Sequence, residues 1–253
     1  MKRTFFILFS LVLLFAACGH SGNNNGDEQT AGDSLSQKAI AQQLEGDSTI
    51  YGLACEGSND SILVIMTSIN SNPDTIDILD AHINRRVFGR PDIGDQVAIS
   101  MSKDNKSVAD IVINIDRLKG EWCYQVMPTL RRRAGEADGA VQLPPDFPDS
   151  LRQKWFQPRE YGFEIRRDNT VRPIGIQRNE AERQPGPVEY PPLKRYRQWY
   201  VYNGQILLCE ARRDTLGNQQ IISTDTVDIV FLRRDTLQLR FKDHEQGYYR
   251  RSN

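Results

Sequence analysis

Thr224–Phe241 reads TDTVDIVFLRRDTLQLRF, and this stretch decides the fold class. Val227, Ile229 and Phe231 recur at every second position of its first half. Leu237, Leu239 and Phe241 do the same in its second half, interleaved with Thr236, Gln238 and Arg240. A period of two is the signature of a strand with one apolar and one wet face. Arg234-Asp235 between the halves carries turn chemistry, so the stretch predicts an antiparallel hairpin.

Working outward, six further segments repeat the pattern: GFEIRR, TVRPIGIQ, KRYRQWYVY, QILLCEAR, NQQIIST and QGYYRR, all between Gly162 and Arg251. Asn203-Gly204, set between Tyr202 and Gln205, is the strongest hairpin signal, because both residues accept the positive φ of a two-residue primed turn. Arg167 to Thr170 and Leu216 to Asn218 mark further tight turns. Eight strands joined mostly by short turns predict a closed up-and-down barrel over 154–253, since closure removes exposed edges.

The first half is also strand-rich. STIYGLACEG, DSILVIMTS, DTIDILDA, GDQVAISMS, KSVADIVINI and LKGEWCYQV supply six short segments between residues 48 and 127. In KSVADIVINI, Val108, Ile111, Ile113 and Ile115 alternate only in part, which predicts burial on more than one face. The spacing predicts a small all-β barrel, and the long HINRRVFGRPDIGD connection resembles that of the oligonucleotide/oligosaccharide-binding barrel. Residues 128–153 concentrate Pro128, Pro144, Pro145 and Pro148 beside Arg131 to Arg133. They read as a Pro- and Arg-rich linker.

Residues 1–17 read as a signal peptide: Lys2 and Arg3, an apolar run from Thr4, then Ala16 and Ala17. The run is too short for a comfortable permanent span. Cys18 at its end resembles the lipidated cysteine of the bacterial lipobox, with Phe15 where that pattern usually has Leu. Residues 18–47 are rich in Gly, Asn, Asp and Ser and read as a flexible tether. Together these predict a cell-envelope protein held to the outer membrane through its N-terminal lipid.

Charge is divided unevenly. Residues 19–130 carry 8 Lys and Arg against 16 Asp and Glu, a net of −8, whereas 131–253 carry 22 against 17, a net of +5. The negative first half argues against a nucleic-acid ligand. The division suits an interface between the halves, an affinity of the second half for anionic ligands or headgroups, or an envelope protein partner, and the plain alternative is two differently solvated surfaces. Of the cysteines other than Cys18, Cys55 and Cys123 are the pair expected if a disulfide forms. The alternative is that they and Cys209 are buried thiols.

KWFQP (Lys154 to Pro158), YGFEIRRDNT, RYRQWYVYNGQILL, TDTVDIVFLRRDTLQLRF and GYYRR, in that order, resemble the lipocalin-like lipoprotein domain common in Bacteroidetes. The resemblance covers residues 151–253 and implies a calyx-like barrel on a lipidated tether. Asn169 stands where that pattern usually has Gly. The Pro-rich insert NEAERQPGPVEYPPLK is extra, and it raises the question of whether it crosses a barrel mouth.

Candidate site residues follow from the aromatic strand. Trp199 and Val201 share one face, and with Tyr196 they are the residues expected to line a cavity for a small apolar or amphipathic ligand. The alternative is that Trp199 plugs a solid core. Arg166-Arg167, Arg212-Arg213, Arg233-Arg234 and Arg250-Arg251 each point one guanidinium outward and one inward or to the rim. They are expected either to meet an acidic ligand group or to form ion pairs at loop tips. His20, His82 and His244 form no metal-spaced set, and Asp225 and Asp228 fall on opposite strand faces. No catalytic residue, metal or cofactor is therefore expected. The leading expectation is a non-catalytic binding module, the alternative a structural or protein-binding envelope component.

Overall fold

A computed structural model of the chain describes residues 44–131, 147–175, 187–213 and 219–252. The signal peptide, Cys18, the tether up to residue 43, Arg132, Arg133 and the expected turn at Leu216 to Asn218 lie outside these residues.

The first unit comprises β1 (Ile50–Ala54), β2 (Ile62–Met66), β3 (Asp74–Asp77), α1 (Leu79–Ile83), β4 (Val87–Phe88), β5 (Gln96–Met101), β6 (Ala109–Asn114) and α2 (Ile115–Leu118). Its six strands are ordered β3-β2-β1-β5-β6-β4. All neighbours are antiparallel except β4 and β6. A parallel bridge from Asp77 to Val108 brings β3 towards β6, so the sheet curls towards closure. Leu63, Ile65, Val97, Ile99 and Val112 fill the unit's own core. On the other face of the same strands, Ala98 and Ile113 join the core of the second unit. The partial alternation of 106–115 therefore reflects two buried faces, as its pattern predicts.

The second unit is an eight-stranded antiparallel barrel, nearly closed. Its strands are β7 (Gly120–Val126), β9 (Arg159–Ile165), β10 (Val171–Ile174), β12 (Tyr196–Tyr202), β13 (Gln205–Arg213), β14 (Gln219–Leu232), β15 (Thr236–Arg240) and β16 (Glu245–Arg250). Each pairs with the next in this order except β10 and β12, and β16 returns to β7. The seam between β10 and β12 is closed by the Thr170–Gln198 bridge and by Trp199 N–H donating to the Asn169 carbonyl at 2.9 Å. This is an up-and-down meander, as the short turns predict. Asn203 (φ 48°) and Gly204 (φ 84°) make the two-residue hairpin turn, and Asn169 (φ 58°) takes the left-handed conformation that Asn tolerates where other side chains are strained.

Several boundaries differ from the sequence reading. Residues 120–126 belong to the barrel, not to the first unit: Trp122 lies opposite Phe163, Tyr124 opposite Tyr161, and Tyr249 opposite Cys123. The meander needs this strand to join β16 to β9. NQQIIST and DTVDIVFLR are one 14-residue strand, β14. A bulge between Ile229 and Phe231 then shifts the face, so Leu232 is buried and Phe231 is 37 % exposed. The linker contains structure as well. Thr129–Leu130 (β8) pairs with Val188–Glu189 (β11), and Asp149–Trp155 forms α3 behind Pro148, a residue suited to a helix start because it lacks a donor. Trp155 lies on this helix, against Phe147. Folded structure also begins earlier than residue 48. Gly46 and Asp47 accept hydrogen bonds from the Asn203 side chain and backbone N–H, at 3.1 and 3.0 Å.

Candidate functional site

Each end of the barrel is built differently. At the end facing the first unit, Trp122, Trp199, Ile115, Leu118 and Phe88 share one core. Both indole N–H groups are satisfied there, Trp122 donating to the Leu118 carbonyl at 2.7 Å and Trp199 to that of Arg166 at 2.9 Å. Satisfied, buried indoles make a plug. The opposite end holds a cavity of about 680 Å³, within the size range of small-molecule sites.

The cavity floor is aromatic. Tyr124, Phe163, Tyr196 and Tyr248 come from β7, β9, β12 and β16, and Phe241 follows β15. Tyr124 meets Tyr248 edge-to-face at 5.4 Å, and Phe163 meets Tyr196 likewise at 6.4 Å. Such mutually perpendicular rings support one another while leaving other faces to the cavity. The walls are polar. Asp225 pairs in register with Leu208, a fully buried residue, so its carboxylate shares the inward face. It accepts hydrogen bonds from the Tyr196 hydroxyl and the Lys194 ammonium, both on Oδ2. Burial pushes the Asp225 carboxyl up, but those two donors outweigh it and hold the group below the ordinary carboxylate range. Tyr196 is pushed far above the ordinary phenol range by burial and by its bond to Asp225, and Tyr248 chiefly by burial. Both are neutral donors at physiological pH.

Pro192, Leu193 and Lys194, from the end of the Pro-rich insert, line the same cavity. The insert thus reaches the mouth, and Lys194 ties it to β14. The wall is incomplete on one side. β15 stops at Arg240, whose pairing with Asp228 is the last rung, while β14 runs on with β13 to Gln219. Thr224 and Thr226 on one side of this gap, and Lys242 on the other, border the cavity.

Of the residues expected to line a cavity, only Tyr196 does so here. A bulge between Tyr196 and Gln198 lets it face inward on the same side as Trp199, three positions on. Trp199 and Val201 lie in the plugged end instead, bordering a void of about 50 Å³ beside Tyr51. The plug alternative describes Trp199. Tyr124, Phe163, Asp225 and Tyr248 were missed by reasoning centred on one aromatic strand. The signal available was an aromatic near the same end of several successive strands.

The arginines are spent elsewhere. Arg172 pairs with Glu121 and Glu164 at 2.9 and 2.7 Å, Arg166 with Glu164 at 2.8 Å, and Arg251 with Glu160 at 3.3 Å, all on the outer face. Arg250 points inward at the plugged end. None borders the mouth cavity, and the described ion pairs of these arginines run to strand glutamates instead of turn aspartates. Asp225 and Asp228 do fall on opposite faces, Asp228 accepting from Gln205 at 2.7 Å. Cys55, Cys123 and Cys209 are free thiols, and no bond joins Cys55 to Cys123, the pair singled out in case a disulfide formed. Cys55 directly follows β1 of the first unit, whereas Cys123 is buried on β7 of the barrel wall. Burial pushes the Cys123 thiol up to about 11. Among the described residues no group of His, Cys, Asp and Glu is arranged to hold a metal, and no helix is long and apolar enough to cross a membrane. His244 contacts Asp243 at 2.7 Å at the cavity rim, but the two side chains are 54 % and 83 % exposed. No protein-family model matches this chain, and comparison with curated proteins and with solved structures finds no significant match.

Proposed function

We propose that this chain is a lipid-anchored cell-envelope binding protein whose barrel holds a small apolar or amphipathic ligand at its open end. The observation that carries the reading is the aromatic cavity of about 680 Å³ at the end opposite the plug. Apolar rings supply the driving force for burial, and a few converging polar groups fix orientation. The chain-order meander, its GFE and Tyr-x-x-Trp strands and its short turns support a lipocalin-like barrel of the Bacteroidetes lipoprotein type. The β3-β2-β1-β5-β6 order with its β3–β6 parallel bridge supports an oligonucleotide/oligosaccharide-binding-like first unit. In this reading that unit serves as the barrel's stopper, since its net charge disfavours nucleic acid. Anchoring rests on the signal sequence and Cys18, and an outer-membrane location goes with it. Purified protein incubated with a mixed envelope-lipid extract, washed and analysed by mass spectrometry, should retain a defined small molecule, and Tyr248→Ala should lose it. A clean blank, together with failure to bind a neutral naphthyl fluorophore, would overturn the reading.

A second reading, a structural or protein-binding component, is favoured by one feature. The β13–β14 arm extends past the barrel with Ile221 and Ile222 48 % and 62 % exposed. Photo-crosslinking from position 222 in intact cells should then yield one discrete adduct, and its absence argues for the ligand reading alone.

A further inference from the structure

Asp225 and the aromatic floor face the same space, and both features favour positive charge: the carboxylate directly, the ring faces through their quadrupoles. The carboxylate's partner is Lys194, which precedes β12 in the segment crossing the mouth and has a side chain 61 % exposed, against 29 % for Asp225. Lys194 shares Oδ2 with the Tyr196 hydroxyl, while Oδ1 accepts no hydrogen bond from the described residues. The Tyr124 and Tyr248 hydroxyls likewise have no partner among the described residues, yet both residues border the cavity. A mobile-stemmed ammonium at the margin of an aromatic chamber, held by the Asp225 carboxylate, has the geometry of an internal stand-in.

We propose that the mouth cavity recognises a small organic ammonium, its charge on Asp225 and its apolar body on Phe163, Tyr196 and Tyr248, and that Lys194 competes for the same carboxylate. This rests on the reading of the barrel mouth as a ligand site and names the ligand's chemistry. An anionic ligand is the rival, since Lys194 and Lys242 both border the cavity. The two differ in the sign of one effect. For an ammonium ligand Lys194 is a competitor, and removing it strengthens binding. For an anion Lys194 is a contact, and removing it weakens binding.

The test uses the full chain and three probes with one skeleton: 3-phenylpropylammonium, 3-phenylpropanol and 3-phenylpropanoate, titrated by calorimetry and ligand-observed NMR. The ammonium should bind tightest. Lys194→Met should strengthen its binding about fivefold, and Asp225→Asn should weaken it about tenfold or more, with the alcohol changed by less than about twofold in both. Lys194→Met alone decides the question if Asp225→Asn fails to fold, because Lys194 is exposed. A weakened ammonium affinity in Lys194→Met, or a carboxylate probe that binds best, overturns the proposal. Equal binding of all three probes, unaffected by Asp225→Asn, overturns it while leaving the mouth as a ligand site. Binding of none overturns both.

Discussion

Removing the guanidinium of Arg250 should cost this protein about 3 kcal/mol, and the figure follows from what that group touches. Arg250 lies opposite Trp122 on the β16–β7 ladder, its guanidinium carbon 4.2 Å from the Trp122 ring centroid. It donates to the Lys119 carbonyl at 2.7 Å, to that of Arg234 at 2.5 Å, and to that of Arg117. Two of these carbonyls close the short helix α2, whose last oxygens need partners from outside the helix. One hydrogen bond to a charged group is worth about 1.5–3 kcal/mol, and a partly desolvated cation–π contact about 1 kcal/mol. The bonds share one cation and are not additive. Burial also opposes the charge, and it is the largest reason that the Arg250 pKa is lowered. Arg250→Met keeps the stem and removes the head, so about 3 kcal/mol is the expected net loss. Arg250→Lys should recover less than half, because one ammonium cannot span the same carbonyls.

Gly120 gives an independent check on the same contact. With φ +128°, it occupies a conformation that side chains rarely adopt, and a Cβ there would meet Arg250 Nη1 at 2.2 Å. Gly120→Ala should therefore destabilise by about 2 kcal/mol or more. The double variant should be less destabilised than the sum by about 1 kcal/mol, since removing the guanidinium removes the clash but not the backbone strain. Urea unfolding followed by tryptophan fluorescence and far-ultraviolet dichroism, with an unchanged denaturant slope, supplies each value. A loss below about 1 kcal/mol for Arg250→Met, or strict additivity with Gly120→Ala, would refute the assignment of Arg250 as the tie between α2 and the barrel.

Gly162→Ala should be among the most damaging single substitutions, about 3 kcal/mol or more, because its Cβ would lie 1.9 Å from the Trp122 carbonyl oxygen and force β7 from β9; a melting temperature within a degree of the parent would show that the ladder absorbs it. In the native protein Cys55 should alkylate readily while Cys123 and Cys209 stay protected until denaturant is added, and reduction beforehand should change neither rate, which peptide mass mapping reports. Tyr51, Tyr196 and Tyr248 are each raised well above the ordinary phenol value, burial being the largest cause. The unfolded chain ionises these phenols near pH ~10, so the folded state holds more protons above that pH. The stability they contribute is thus present below pH ~10 and falls as pH rises further. Absorbance at 295 nm should accordingly show a late group of phenols ionising together with loss of dichroism, and smooth titration of all nine tyrosines in an intact fold would contradict the burial argument.

Local pattern made much of the barrel legible. Period-two alternation located the strands of Thr224–Phe241, Asn-Gly located the 203–204 turn, and the broken alternation of 106–115 revealed two buried faces. What local pattern does not carry is partner choice. The strand at 120–126 looks the same whichever sheet receives it, and its assignment depends on Phe163 and Tyr249 lying more than thirty residues away. Bulges are equally silent. At Ile229/Phe231 and Tyr196/Gln198 one extra residue reverses the faces that strict alternation assigns, which is why Phe231 was expected inside and why Tyr196 was paired with the cavity without a geometric reason. The candidate site suffered most. Its members come one from each of several strands, so no single stretch of sequence displays them, and the most aromatic strand drew notice to Trp199, a plug.

The placement of the plug has a consequence for how an anchored barrel would meet its ligand. The described chain begins beside the Asn203 turn, where Gly46, Asp47 and Ser48 bind the Asn203 side chain and backbone. That turn also packs on Ile111 of the first unit, the contact being so close that a Cβ at Gly204 would meet the Ile111 side chain at 2.6 Å. The N-terminal segment therefore joins the body at the plugged end, on the side opposite Tyr248 and Asp225. Under the proposed anchoring through Cys18, the segment leading to the membrane would leave from that end and not from the mouth. A ligand would then enter from the aqueous space or be handed over by another protein, instead of being lifted directly out of the bilayer. An amphipathic organic ammonium, soluble enough to diffuse and apolar enough to bury, is compatible with that orientation. A fully apolar lipid is less so, and this asymmetry ties the location of the plug to the chemistry proposed for the mouth.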